Sequence, residues 1–211
     1  MPKITQLQKE AVRIDILNTA RNVFIEKGYE AASMSDIVTS SNRSFGGVYL
    51  YYSNKEDVFL DLLRREYKNM ALDFVSDSSI WSAFVQFMKE QEKRIREVDA
   101  SLAPCVYEYF IAGRRKEERR KLIEERYEAV YKNIFTFLNN GVQRGELHPS
   151  QPLETFVHWL ISLLDGLFLE SMINGFENIQ LAKQFEFVLT ICRSALMPSE
   201  MGEINDKYSI E

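Results

Sequence analysis

The chain has 211 residues, of which 45% are hydrophobic and 27% charged, and its formal net charge at pH 7 is −5. This length suffices for a small domain and a larger one with its own core, and the hydrophobic content excludes a disordered chain. The two cysteines, Cys105 and Cys192, lie far apart and favour a reducing cytosol over a disulfide framework. No apolar leader follows Lys3. The most apolar segment, 156–173, contains ionisable residues and is interpreted as a buried helix, with no membrane expected.

The negative net charge argues mildly against a nucleic-acid partner. From Met1 to Leu60 the chain carries seven Lys or Arg and seven Asp or Glu residues, so the N-terminal part is neutral. If this part binds DNA, we expect weak non-specific affinity and strong sensitivity to salt.

A first helix is predicted from about Thr5 to Lys27, because apolar residues recur there at helical spacing and Gly28 follows as a C-cap. Two of its cations, Lys9 and Arg13, are open to two interpretations. They can contact a DNA phosphate, or they can lie as solvated surface charges, and the second interpretation is favoured.

A helix-turn-helix is predicted next. Ser33 can cap a short helix with Asp36 in its first turn, and a carboxylate suits that end of the helix dipole. Asn42 suits a tight turn because it tolerates left-handed backbone conformations, and Ser44 can cap a second short helix. Such a unit places its second helix in the major groove of DNA.

Two further signals frame that second helix. Gly46 and Gly47 disfavour an isolated helix, so their presence suggests that the backbone comes close to something there. Ser53 and Glu56 fit a capping box, S-N-K-E, that opens a long fourth helix running into the seventies, with Met70 and Phe74 on its apolar stripe.

The N-terminal residues resemble the DNA-binding domain of the tetracycline-repressor (TetR) family of transcriptional regulators. The matching runs are I-L-N-T-A-R-N-V-F-I-E-K-G-Y-E-A-A-S-M-S-D-I-V from Ile16 and S-F-G-G-V-Y-L-Y-Y-S-N-K-E-D-V-F from Ser44. The core G-x-V-Y-x-Y-[FY]-x-x-K-E is specific to the family. Two features depart from its pattern: Ser41-Asn42-Arg43 replaces a small-Gly-hydrophobic triplet, and Phe45 stands where a polar residue is common. The departures bear on how bases are read and leave the fold unchanged.

The remaining chain predicts helices only. A fifth helix is expected over about 80–98, a sixth with Pro104 in its first turn, a long seventh, and two last helices over about 153–174 and 178–196. The fold class is therefore all-α with about nine helices. We expect a helix-turn-helix domain over 1–54, a helical regulatory and dimerisation domain over 55–198, and a polar, frayed tail over 199–211.

The segment from Arg114 to Arg126 mixes seven basic with four acidic residues. It is interpreted as the exposed, ion-paired start of the seventh helix. A second contact with DNA is the less favoured alternative.

The helix over 153–174 is apolar on nearly every face, so it must be covered all round. One chain of this length has few helices left to cover it. A partner subunit supplies the rest, and we expect a homodimer through the last two helices, in which Gly166 permits close helix approach.

The family resemblance implies a double-stranded DNA operator as partner, bound by two copies of the second short helix. The residues expected to contact DNA are Ser33, Ser44, Phe45, Gly46, Gly47, Tyr49, Tyr51 and Lys55. Phe45 either contacts a thymine methyl group or is a packing residue. Tyr49, Tyr51 and Lys55 are expected to hold phosphates, and Ser33 adds a contact at a helix N-terminus. Tyr52 is assigned to the core.

The resemblance also implies a small-molecule effector in the larger domain. The candidate pocket residues are Trp81, Phe84, Met88, Tyr107, Phe110, Tyr127, His158, Trp159, Ser162 and Asp165, which suit an apolar or aromatic ligand. Plain core packing is the favoured alternative for most of the aromatic ones. His158, Ser162 and Asp165 form one polar stripe on an apolar helix, which serves either the pocket or hydrogen bonds at the dimer interface.

No enzyme, cofactor or metal site is expected. The two histidines lack metalloprotease spacing, no glycine-rich phosphate loop is present, and no nucleophile has an evident base. The predicted function is a cytoplasmic, ligand-responsive transcriptional regulator, with repression as a family-level expectation. The alternative is a helical small-molecule-binding or protein-interaction module that binds no operator.

Overall fold

A computed structural model of the chain describes residues 5–68 and 79–199, apart from the side chains of 66–68. These residues form nine α-helices, a short 3-10 turn over Val98–Ala100 and no strand, so the predicted all-α fold is confirmed. The helices are α1 Gln6–Lys27, α2 Met34–Ser40, α3 Phe45–Tyr49, α4 Lys55–Lys68, α5 Ile80–Arg96, α6 Ala103–Gly113, α7 Glu117–Gln143, α8 Leu153–Asn174 and α9 Leu181–Leu196.

The predicted starts of both helices of the helix-turn-helix are confirmed, whereas the second helix ends at Tyr49 and not at the expected Tyr51. The hydroxyl oxygen of Ser33 accepts a hydrogen bond from the N–H of Asp36 at the start of α2. The hydroxyl oxygen of Ser44 accepts from the N–H of Gly47 at 3.1 Å and caps α3. Asn42 has a φ of 53°, in the left-handed region that the turn requires. The turn and both caps therefore arise from local residues.

The predicted start of α4 was one residue too early. Asn54, rather than Ser53, caps the helix, since its side-chain oxygen accepts from the N–H of Asp57 at 2.9 Å. Glu56 has other partners and does not reach back to the cap. The expected course of α4 beyond Lys68, including Met70, Phe74 and the break at 77–78, lies outside the described residues, as does the tail from 200.

The chain divides into two compact units. The first unit comprises Met1–Ala71 and Asp99–Arg120, which hold α1 to α4, α6 and the start of α7. Its core is formed by α1 and α4 with aromatic rings from the α1–α2 turn and from α6. The largest buried side chains there are Ile16, Leu17, Phe24, Tyr29, Ile37, Phe59 and Tyr109.

The second unit comprises Leu72–Val98 and Lys121–Glu211, which hold α5, most of α7, α8 and α9. Its apolar core is contributed by all four helices and includes Phe84, Met88, Leu138, Leu160 and Cys192. By length and composition alone, α8 is long and apolar enough to cross a membrane. Its inward side packs into this core, which agrees with the predicted buried helix.

The start of α7 is largely exposed, as expected, but Arg119 departs from the predicted surface. The helix begins at Glu117, not at Arg114, and Arg119 is only 7% exposed. Its Nε donates to a carboxylate oxygen of Glu56 at 2.9 Å. The ion-pair partner of Arg119 thus lies on α4, 63 residues away in the sequence.

Candidate DNA-binding surface

The exposed side of α3 is largely apolar. Val48 is fully buried and anchors the helix, whereas Phe45 is 56% and Tyr49 46% exposed. The two rings stack on each other with centroids 6.2 Å apart. Phe45 therefore packs on the Tyr49 ring but is not a buried core residue. Leu50, which the sequence did not single out, follows directly and is 75% exposed.

The two glycines of α3 differ. A Cβ built on Gly46 meets nothing within 4 Å, so this position is open to an approaching group. A Cβ on Gly47 would lie 3.2 Å from the hydroxyl oxygen of Ser44, the atom that caps the helix. The close approach expected at the glycines is therefore found within the helix-turn-helix itself. At Gly47, a side chain would crowd the hydroxyl of Ser44 that caps α3.

Tyr52 lies in the core of the first unit, as expected. It is 6% exposed, and its hydroxyl donates to Asp61 at 2.5 Å. Burial, with the hydrogen bond to Asp61, raises the pKa of this phenol. Arg13 binds the same carboxylate through Nε at 2.8 Å and through a terminal nitrogen at 2.6 Å. Arg13 is therefore a structural partner of a buried aspartate. Tyr51 is half-buried.

The N-terminus of α2 is an ion-paired cap. Ser33 donates its hydroxyl hydrogen to Asp36 at 2.7 Å, and Lys27 donates to the other carboxylate oxygen at 2.7 Å. The Lys27 ammonium and the Ser33 hydrogen bonds lower the pKa of Asp36 to about 2. The carboxylate thus stays ionised beside the helix N-terminus that was expected to contact a phosphate.

Lys55 has partners that the sequence did not indicate. Its ammonium donates to the carbonyl oxygens of Tyr29, Glu30 and Ala32 at 2.7, 2.9 and 2.9 Å. It also lies 4.7 Å from the centroid of the Tyr29 ring. A lysine ammonium has three N–H donors, so all three are directed at the α1–α2 turn. These partners lie 23–26 residues from Lys55 in the sequence, too far for a short motif to indicate the contacts.

The turn residue Arg43, one of the departures from the family pattern, is tied to α1. A terminal guanidinium nitrogen of Arg43 donates to Asp15 at 2.7 Å. The pair is largely exposed on the aspartate side, at 57%. It joins the turn before α3 to the first helix, and no short-range sequence signal predicts it.

The predicted pocket residues divide between the two units. Tyr107 and Phe110 belong to α6 and hence to the first unit, where Phe110 packs on Tyr109 at 5.3 Å between centroids. The others belong to the second unit. There Trp81 stacks on Phe84 at 5.6 Å. Phe84 and Met88 are 1% and 0% exposed, which fits the core alternative for both.

The polar stripe of α8 is not buried within one chain. His158 and Ser162 are exposed, and the His158 ring stacks on Tyr131 with centroids 4.7 Å apart. Asp165 accepts a hydrogen bond from the Tyr127 hydroxyl at 2.7 Å. Burial, with this bond, raises the pKa of Tyr127 to about 12. The stripe thus has partners on α7.

An exposed apolar surface remains on α8 and α9. On α8, Trp159, Leu169 and Ile173 are 36%, 41% and 70% exposed, and a Cβ built on Gly166 meets nothing within 4 Å. On α9, Phe187 is 66% exposed.

Residues 5–68 and 79–199 contain no group of three His, Cys, Asp or Glu side chains that could hold a metal ion.

Two family models match the chain. Residues 16–62 match the model of bacterial regulatory proteins of the tetR family. Residues 83–182 match the model described as tetracyclin repressor-like, C-terminal domain. The uncharacterized HTH-type transcriptional regulator YfiR of Bacillus subtilis is 33% identical over 174 residues, which cover 81% of this chain and 85% of that protein.

Solved structures share the fold at low identity. A TetR transcription regulator from Haloarcula marismortui superposes with a TM-score of 0.75 at 16% identity, covering 89% of this chain and 98% of that one. The transcriptional regulator FadR from Bacillus subtilis, in complex with stearoyl-CoA, superposes with a TM-score of 0.66 at 19% identity, covering 87% and 98%.

Proposed function

The chain belongs to the tetR family of bacterial regulatory proteins, and from this we propose that it is a dimeric repressor released from a palindromic operator by a small molecule. Regulators of this family bind DNA operators, respond to small-molecule effectors and form dimers. The observation that carries the proposal is the exposed side of α3, a helix that Ser44 caps and the fully buried Val48 anchors. A DNA-binding regulator of this kind acts in the cytoplasm.

Base reading is assigned to the start of α3. Phe45 and Tyr49 offer the major groove an apolar face with one hydroxyl, and the open position at Gly46 admits a base edge. Thymine is the base that carries a methyl group in that groove. We therefore assign Phe45 to a thymine methyl group in each half-site. Ser44 and Gly47 lie beside it and form the cap that orients the helix.

Phosphate contacts are assigned to Tyr49 and Tyr51. Ser33 is reassigned to the cap of α2, because its backbone N–H and its hydroxyl already donate to the ionised carboxylate of Asp36. Lys55 is reassigned. Because its three donors are directed at carbonyl oxygens of the α1–α2 turn, its role is to hold that turn in place.

Selection of bound sequences from a random duplex pool, at near-physiological salt, tests operator binding. We expect an enriched palindrome with two half-sites, since a two-fold dimer presents two copies of α3. No enrichment by a protein that is dimeric in solution, with or without effector candidates, would contradict the proposal. It would favour the alternative of a helical binding module.

A second copy of the chain is proposed to cover the apolar surface of α8 and α9. Four large side chains there are exposed, Phe187 and Ile173 most of all. Phe187→Glu places a charge in the proposed interface and should convert the dimer to a monomer in sedimentation velocity. Lys89→Glu, a charge change at an exposed residue of α5 outside the proposed interface, is the control. A Phe187→Glu protein that remains dimeric would exclude this interface.

An apolar or aromatic effector is proposed for the second unit. The support is its aromatic content and the fold shared with FadR, whose structure holds stearoyl-CoA. His158, Trp159 and Ser162 lie on the exposed side of α8 and serve either the dimer or the ligand. A thermal-shift screen with acyl-CoA thioesters, fatty acids and planar aromatic compounds tests this. If no class raises the melting temperature, the effector proposal fails.

A further inference from the structure

Two side chains of opposite charge, Glu108 and Lys55, hold the turn between α1 and α2. The carboxylate of Glu108, on α6, accepts hydrogen bonds from the backbone N–H of Tyr29 at 2.7 Å and of Glu30 at 3.0 Å. The ammonium of Lys55, on α4, takes the carbonyl oxygens of the same turn. One anion thus binds the donors of the turn, and one cation binds its acceptors.

Gly28 is shaped to this arrangement. Its φ is +78°, a conformation that side-chain-bearing residues rarely adopt, and a Cβ there would lie 3.0 Å from the Oε2 of Glu108. The glycine therefore serves two purposes: it ends α1, and it leaves the space into which the carboxylate of Glu108 fits.

The helix that carries Glu108, α6, is itself fixed to α1 and α4. The hydroxyl of Tyr109 donates to Glu56 at 2.6 Å, and the Sγ of Cys105 donates to the carbonyl oxygen of Phe24 at 2.9 Å. The Tyr109 ring meets the Tyr29 ring edge-on at 4.8 Å. Burial raises the pKa of the Cys105 thiol to about 11, so this contact stays protonated at neutral pH. Glu108 is thus held in place by its neighbours on both sides along α6.

The α1–α2 turn leads directly into Ser33, the cap of α2, and α2 with α3 forms the helix-turn-helix. The turn thereby sets where α2 begins and how α3 is presented. We infer that Glu108 is a positioning residue for operator binding, although it lies more than 40 residues beyond the segment that matches the DNA-binding family model. The inference rests on the proposed function.

The test uses the full-length protein with Glu108→Gln, which keeps the shape but replaces one carboxylate oxygen by an NH2 group that cannot accept a hydrogen bond. The probes are the selected operator and a duplex of scrambled sequence. We expect operator affinity to fall about ten-fold, because one of the two charge-assisted hydrogen bonds that hold the turn is lost. Affinity for the scrambled duplex should not change. The amides of Tyr29 and Glu30 should exchange faster with solvent.

The sign of the change separates positioning from simple electrostatics. Removing a negative charge near DNA should tighten binding, whereas loss of positioning weakens it. Glu30→Gln is the matched control, because it removes the same charge from an exposed side chain of the same turn. Operator affinity of Glu108→Gln equal to that of the wild type or of Glu30→Gln would overturn the inference. A parallel loss of affinity for both duplexes would also overturn it, as this indicates a smaller folded fraction. If the wild-type protein enriches no sequence, the proposed function fails instead.

Discussion

The two units are stabilised by different kinds of contact. In the first unit, charged groups sit within or beside the core: Asp61 binds Arg13 and Tyr52, and Glu56 binds Tyr109 and Arg119. In the second unit, the core is an apolar cluster built from four helices. The first unit therefore depends on individual atoms and directions, and the second on filled volume.

This difference fits what each unit is proposed to do. A helix that reads bases must be oriented closely, and hydrogen bonds fix direction where apolar contacts fix mainly distance and volume. A unit that takes an apolar ligand and a second copy of itself needs adaptable apolar surface. The predictions below test whether the two units really respond to substitution in these two ways.

The largest effect is expected in the second unit from Phe84→Ala. Phe84 is 1% exposed and packs on Trp81 and Phe156. Losing its ring should lower the free energy of unfolding by about 3–5 kcal/mol, measured by urea titration. Phe45→Ala is the control, because that ring is 56% exposed and its loss should cost less than about 0.5 kcal/mol. Similar losses for both variants would contradict the assigned core.

The second-largest loss of unfolding free energy is expected at the more buried of two aspartate–arginine pairs in the first unit. Asp61 is 6% exposed and binds Arg13 with two hydrogen bonds, whereas the Asp15 side chain is 57% exposed beside Arg43. Asp61→Ala should cost about 2 kcal/mol, less than for a fully buried pair because Arg13 is partly solvated. Asp15→Ala should cost less than about 1 kcal/mol. Urea titrations at low and high salt measure both, and equal losses would mean that the buried pair has no special role.

A third prediction concerns Lys55. If it holds the α1–α2 turn, Lys55→Ala should weaken operator binding about ten-fold while the dependence of log Kd on log salt keeps its slope. If it binds a phosphate instead, the slope should fall by about one and non-specific affinity should fall too. Lys9→Ala, an exposed lysine on α1, controls for the charge. The effects of Lys55→Ala and Glu108→Gln should be less than additive, because both act on the same turn.

The smallest effect is a pH dependence at Asp36. Its pKa is lowered from 3.8 to about 2 by Lys27 and Ser33. A lowered pKa in the folded state means that the stabilisation is complete above about pH 4 and is lost as the pH falls toward 2. The melting temperatures of the wild type and of Asp36→Asn should therefore differ at neutral pH and converge near pH 2. A difference that stays constant with pH would show that the ion pair contributes nothing.

Local chemistry made the first unit largely predictable. Ser33 and Ser44 cap their helices because the acceptor and the N–H lie three residues apart, within one sequence window. The error at α4 has the same origin. Ser53 with Glu56 and Asn54 with Asp57 are two overlapping capping patterns, one residue apart. The contacts of Glu56 with Tyr109 and Arg119 decide between them, and these are invisible at short range.

The parts that could not be predicted depend on distant residues. Glu108 lies 78–79 residues from the N–H groups that it binds, and no spacing rule joins them. The exposed surface of α8 was hidden for another reason. A helix that is apolar on nearly every face does not reveal which side its own chain covers, so the exposure of Leu169 and Ile173 required the structure.

The central claim, that the apolar side of α3 reads DNA, is tested most directly by replacing each thymine of the selected operator with deoxyuridine in turn. This change removes a single methyl group. We predict that one thymine in each half-site is sensitive, with a loss of about four-fold in affinity, as expected for one buried methyl group. We also predict that Phe45→Ala abolishes this sensitivity. An operator that tolerates every substitution, or a Phe45→Ala protein that stays equally sensitive, would contradict the claim.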